Sequence, residues 1–78
     1  MDFTLSRHAE KRREERSVSS EVISDVIDDP DEIYPDPFGE GVIYEKRVEY
    51  RGLIRLIKLA VDDSRNPQHV ITIMVDDA

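Results

Sequence analysis

The chain has 78 residues and a formal net charge of −7, enough for one small domain over residues 1–78 and too few for a separate cofactor domain. It contains no cysteine, which excludes a disulfide framework, a thiolate nucleophile and zinc held by sulfur. No apolar run approaches the roughly 18 residues of a membrane span, and the opening Met-Asp-Phe-Thr-Leu-Ser lacks the charged-then-apolar order of a signal peptide, so a soluble, cytoplasmic protein with no membrane partner is expected.

Ser6 is placed to cap a first helix running to about Arg16, because its hydroxyl can accept from an unpaired amide of the first turn. At about 100° per residue, Leu5 and Ala9 define a narrow apolar stripe that His8, Arg12 and Arg16 share, while Arg7, Glu10, Lys11 and Glu14 point away. Ser17 and Val18 interrupt this pattern. Ser19 then reads as a second N-cap, with Val18 and Ile23 positioned as a hydrophobic staple. Val22, Ile23, Val26 and Ile27 make the apolar stripe of a second helix, which Pro30 stops near Asp28 or Asp29.

Residues 28–41 hold three prolines and two glycines among acidic side chains and predict an exposed connection, with a short edge strand at Ile33 and Tyr34. Three strand-like runs follow, at about Val42–Tyr50, Leu53–Val61 and His69–Val75. Arg51-Gly52 reads as a tight hairpin turn, and Asp62–Gln68 with Asn66-Pro67 as a longer one. The last two runs are apolar on both faces, as expected of inner strands or of strands covered on both sides. The expected fold is α+β, with two N-terminal helices packed on one face of an antiparallel sheet of three to four strands.

Charge is unevenly distributed along this order. Residues 1–16 carry +1, 17–40 carry −8 with no basic group, 41–61 carry +3, and 62–78 carry −3. The overall sign argues against a nucleic-acid binder, whose affinity comes largely from neutralising phosphates, but the basic groups gather on the first helix and the central hairpin. His8, Arg12 and Arg16 stand on successive helical turns roughly 6 Å apart, a spacing that suits a ligand with several anionic oxygens. In the strands, Lys46 shares a face with Tyr44 and Val48, Arg55 shares one with Leu53 and Ile57, and Lys58 shares the opposite face with Leu56 and Ala60.

A cleft lined by His8, Arg12, Arg16 and one or both of Lys46 and Arg55 would suit metal-independent RNA cleavage, in which a neighbouring 2′-hydroxyl attacks phosphorus. His8 would handle the proton, the arginines would hold the phosphate through forked contacts, Tyr44 would stack on a base or donate a hydrogen bond, and Thr72 would donate another. The opposing expectation is structural. Arg12 and Arg16 would cover the core with their stems and pair with Asp28, Asp31 or Glu32, and Lys46 and Arg55 would extend past the sheet edge. His8 and His69 show no metal-ligand spacing with the carboxylates, Asp28–Glu32 lacks the alternation and glycine of a calcium loop, and no cofactor motif is present.

The run Phe3-Thr4-Leu5-Ser6-Arg7-His8-Ala9-Glu10-Lys11-Arg12-Arg13-Glu14-Glu15-Arg16, followed by Val18, Val22, Ile27 and Asp29-Pro30-Asp31, resembles domain-of-unknown-function family 4258. The final strand Val70-Ile71-Thr72-Ile73 resembles that family's ending. The family is similar in fold to the RelE-like toxins and is grouped with the barnase, colicin and RelE-like ribonucleases. The resemblance implies a small RelE-like protein acting as a toxin-type endoribonuclease on free or ribosome-associated RNA, not DNA, and neutralised by an antitoxin protein. Residue by residue it carries over His8, Ala9, Arg12, Arg16 and Thr72. The combined expectation is a catalytic set of His8, Arg12, Arg16, Lys46 and Thr72 and an RNA-binding set of Arg12, Arg16, Tyr44, Lys46 and Arg55. A non-catalytic protein-interaction module of the same fold, using the acidic connection 28–40 or a sheet edge, is the alternative.

Overall fold

A computed structural model describes residues 2–50 and 52–77, with the side chains of Tyr50 and Asp77 excepted. In chain order the elements are β1 (Phe3–Leu5), α1 (Arg7–Glu15), α2 (Ser20–Asp28), β2 (Glu32–Pro35), β3 (Val42–Tyr50), β4 (Leu53–Asp62) and β5 (Gln68–Asp77). The strands form one mixed sheet in the order β1-β5-β4-β3-β2, with β1 parallel to β5 and the other neighbours antiparallel. Among the described residues no helix is long and apolar enough to cross a membrane.

Two expectations are corrected here. The sheet has five strands, not three or four, and is not wholly antiparallel. Leu5 belongs to β1 and not to the first helix, because Phe3, Thr4 and Leu5 pair with Gln68, His69 and Val70. A three-residue strand whose partner lies 65 positions away leaves no readable period. The expected edge strand at Ile33 and Tyr34 is β2, and β3 has the expected bounds. Of the predicted Arg51-Gly52 turn, Gly52 has a φ of 80°, while Arg51 lies outside the described residues.

Both helices begin as expected. The Ser6 hydroxyl accepts from the Ala9 amide at 3.0 Å, and the Ser19 hydroxyl accepts from that of Val22 at 3.2 Å. The Ser6 hydroxyl also donates to the Ile71 carbonyl, and the Ser6 amide to that of Val70 at 2.9 Å. The end of β1, the start of α1 and the middle of β5 therefore meet at one residue. The other end of α1 closes in a Schellman turn: the Ser17 amide donates to Glu14 O and the Val18 amide to Arg13 O, with Ser17 at a φ of 53°. That turn drives Val18 into the core, where it is buried with Ile23.

The core lies between the helices and one face of the sheet. Ala9, Ile23, Val26 and Ile27 pack against cross-strand rows that include Tyr44–Leu59–Ile73 and Val42–Val61–Val70. A register shift in β5 makes this possible. Val70 pairs with Val61 and Thr72 with Ala60, so Ile71 is an extra residue, and Val70 and Ile73 both face the helices although they are three positions apart. Thr72, Met74 and Asp76 consequently fall on the opposite face. Gly41 marks a close approach at the other end of the sheet, where a Cβ would lie 2.5 Å from the Val61 carbonyl oxygen.

Two substitutions test this local chemistry. Ser6→Ala should lower unfolding free energy by roughly 1–2 kcal/mol, because it removes the cap and the Ile71 partner together. Ser17→Gly should raise it by roughly 0.5–1 kcal/mol, because glycine takes the left-handed conformation without a Cβ clash. Urea denaturation at constant slope reads both, and unchanged midpoints would show that these geometries carry no net energy.

Candidate functional site

Helix α1 crosses beside β5. Because β1 pairs only as far as Val70, β5 beyond Ile71 has strand pairing on its β4 side alone among the described residues. A groove of about 250 Å³ opens at this free edge, lined by Arg12 and Arg16 from α1 and by the strand from Thr72 to Asp76. The helix supplies its inner face to the core only through Ala9, which is fully buried. Arg12, half-buried, and Arg16, exposed, stand one turn apart beside the edge.

Neither guanidinium has a carboxylate partner among the described residues. The adjacent Arg13 does: its Nη2 donates to Glu10 Oε1 at 2.8 Å. The expected pairing of Arg12 and Arg16 with Asp28, Asp31 or Glu32 does not occur; Asp31 instead accepts from the Arg47 amide at 2.8 Å. One carboxylate, Asp76, borders the groove, with its Oδ2 3.8 Å from Lys58 Nζ. Thr72 of β5 also lines the groove. His8 is exposed on the first turn of α1, four residues before Arg12 and outside the groove lining.

The two cations on the helix face of the sheet have other tasks. Lys46 Nζ donates to the Asp29 carbonyl at 2.8 Å and to Asp29 Oδ2 at 3.1 Å, and lies 3.5 Å from Asp25 Oδ2. Asp29 is the C-cap of α2, a helix with no basic residue in its last turn. Lys46 therefore supplies the positive charge that the carbonyl end of α2 favours. The hydrogen bond to Asp29 outweighs partial desolvation and, with the nearby Asp25 charge, holds this ammonium above the ordinary lysine pKa. Arg55 Nη2 donates to the carbonyl of Arg16, the C-cap of α1, at 2.7 Å.

Tyr44 is buried to 8 % exposure, and its hydroxyl accepts from Gln68 Nε2 at 2.8 Å. The expected stacking role is corrected by that burial. Lys46, expected in the catalytic set, is bound at Asp29 and is not among the residues that line the groove of Arg12 and Arg16. Of the predicted residues, the structure gathers Arg12, Arg16 and Thr72 at one groove, sets His8 a turn away, and bonds Arg55 to the Arg16 carbonyl. The sequence reading did not find Asp76 or the open strand edge, since both depend on where β1 stops. No cluster of potential metal ligands occurs among the described residues.

Compared with known proteins, the chain matches no family model, no curated protein and no solved structure.

Lys46→Met should lower the urea midpoint at neutral pH without changing binding at the α1–β5 groove. A raised lysine pKa means that the contribution is complete below the unfolded value of about 10.4 and is lost as pH rises through the folded value. The stability gap between wild type and variant should therefore be constant from pH 7 to 9 and narrow above pH 10; a gap independent of pH would assign it to packing of the stem.

Proposed function

We propose that the groove between α1 and the free edge of β5 binds a phosphodiester backbone, and that the chain is a small RelE-like protein of the toxin type that cleaves RNA without a metal. The single observation supporting this reading most strongly is that Arg12 and Arg16, one helical turn apart, line an open groove with no carboxylate partner among the described residues. Buried or structural arginines normally acquire such partners. The resemblance of the His8-Ala9…Arg12…Arg16 pattern to a family grouped with ribonucleases supplies the reaction class.

On this reading the two guanidiniums hold the non-bridging oxygens of one phosphate, or of adjacent phosphates, through forked hydrogen bonds. The Thr72 hydroxyl donates to a third oxygen. The 2′-oxygen attacks phosphorus as its proton passes to His8; the bond to the 5′-oxygen breaks, that oxygen takes a proton from solvent water, and His8 returns its proton to solvent. The products are a 2′,3′-cyclic phosphate and a free 5′-hydroxyl. Positive charge at the groove matters most as negative charge accumulates on the pentacoordinate phosphorus, where a fixed cation stabilises the transition state more than the ground state. Residues 1–16 carry +1 against −7 for the whole chain, so the net charge alone does not set the potential at this surface.

The non-catalytic alternative, a protein-interaction module of the same fold, draws on the acidic connection 28–40 or a sheet edge.

Mapping RNA 5′ ends in bacteria after brief induction tests the reading. Wild type should generate new ends that vanish in a His8→Ala, Arg12→Ala double variant of equal solubility. With labelled single-stranded RNA, Arg12→Ala should weaken binding at all sequences and flatten the log K against log salt slope by about 0.7, the loss of one phosphate contact. Identical end maps would remove the nuclease, and an unchanged salt slope would remove the phosphate site.

A further inference from the structure

The sheet has a second face. Its cross-strand rows are Ile43–Ala60–Thr72, Glu45–Lys58–Met74, Arg47–Leu56–Asp76 and Glu49–Ile54. Ile43 and Ala60 are each 3 % exposed yet stand outside the core cluster beneath the helices, and among the described residues no helix covers them. Toward the outside the same face offers Ile54 at 45 % exposure and Met74 at 38 %. The β2–β3 connection rises beside it and carries Phe38 at 98 % exposure. Between that connection and the strands lies a mainly apolar groove of about 230 Å³ whose floor includes Ile43, Ala60 and Met74.

Charge around this face is lopsided. Glu32, Asp36, Glu45, Glu49 and Asp76 border it against Arg47 and Lys58. Lys58 lies between two of the acids, 3.9 Å from Glu45 Oε1 and 3.8 Å from Asp76 Oδ2. Glu45 also accepts from the Tyr34 hydroxyl at 2.9 Å, which pushes that phenol above its ordinary pKa and keeps it protonated as a donor. The one cation at the centre is thus matched, and the rim keeps an excess of negative charge.

We infer that this face is the docking surface for a cationic amphipathic helix of a partner protein, whose apolar ridge seats on the exposed Phe38, Ile54 and Met74 while its lysines or arginines reach Asp36, Glu45, Glu49 and Asp76. The backbone groups of inner strands β3 and β4 are satisfied by their neighbours, so an incoming segment gains nothing by adding a strand here; a helix satisfies its own backbone and offers a row of side chains, as α1 and α2 do on the other face. A second copy of this chain would set one acidic rim against another at a net charge of −7 each, which disfavours self-association through this face. RNA is repelled by the same rim. An exposed apolar area bordered by one sign of charge selects a partner that carries both complements, and the long-range field steers its approach.

The probe is a synthetic helix of about 18 residues with leucines at i, i+3, i+4 and i+7 and lysines elsewhere, titrated into the full chain at physiological salt. The expected result is saturable binding with amide shifts at Ile43, Lys58, Ala60 and Met74 and none at Arg12 or Arg16. A Phe38→Ser, Ile54→Lys variant, altered only at exposed positions, should bind at least about tenfold more weakly. A peptide with glutamates in place of its lysines, and another with glutamines in place of its leucines, should also lose at least about tenfold. Equal affinity for the leucine-free peptide would overturn the inference by reducing it to bulk charge attraction. Shifts confined to α1 or to residues 28–40 would overturn it by relocation, and sedimentation as a dimer that Ile54→Lys dissolves would make a second copy the occupant.

Discussion

Ser6 is the residue on which the arrangement of the molecule depends. Its amide fixes the end of β1 to Val70, its hydroxyl accepts from the Ala9 amide in the first turn of α1, and the same hydroxyl donates to Ile71 where β5 gains its extra residue. A serine can do this because one oxygen both accepts and donates. With these bonds made, the chain leaves the sheet and enters the helix within one residue, and α1 is laid beside β5 with no freedom to swing away. The stop in β1 leaves the outer edge of β5 open beyond Ile71, and the helix direction brings Arg12 and Arg16 to that opening.

The division of labour among the cations follows from the same packing. Both helices point their carbonyl ends at the sheet's third and fourth strands, and the helix face of those strands offers one cation to each, Lys46 to α2 and Arg55 to α1. A cation among apolar neighbours is unfavourable unless it finds an acceptor, and unpaired C-terminal carbonyls are the nearest acceptors available. These two groups thereby become part of the scaffold. Arg12 and Arg16 have no comparable acceptor, since the acidic connection that might have reached them is bound instead at β3, through Asp31 and Asp29. Two acids of that connection, Asp29 and Asp31, are thus held beside β3 and away from the groove lining, which Asp76 alone among carboxylates borders within the described residues.

Much of the fold was legible because it rests on short-range patterns. Ser6 and Ser19 announced helix starts, the Val22-Ile23-Val26-Ile27 spacing gave the buried stripe of α2, and Pro30 placed its end. The strand-like run at about Val42–Tyr50 is β3. Lys46 was correctly placed on the face shared with Tyr44, but its role was not, because the partner Asp29 belongs to another element and its carbonyl leaves no mark in a side-chain pattern. The apolar character of both faces of β4 was visible in the sequence as well; what it signified was not, since a face covered by the same chain and a face left for another read alike.

What the sequence determined by itself was therefore the inventory: two capped helices, an acidic proline-rich connection, three long strands, and a His-Arg-Arg row on the first helix. Tertiary structure decided the pairing of β1, the phase of β5 and the fate of each cation. A single extra residue at Ile71 turns Thr72, Met74 and Asp76 to the open face and Ile73 to the core, reversing what strict alternation from Val70 would give. Such a shift arises from contacts between strands and from the Ser6 hydroxyl 65 positions away, and no local rule of alternation carries that information.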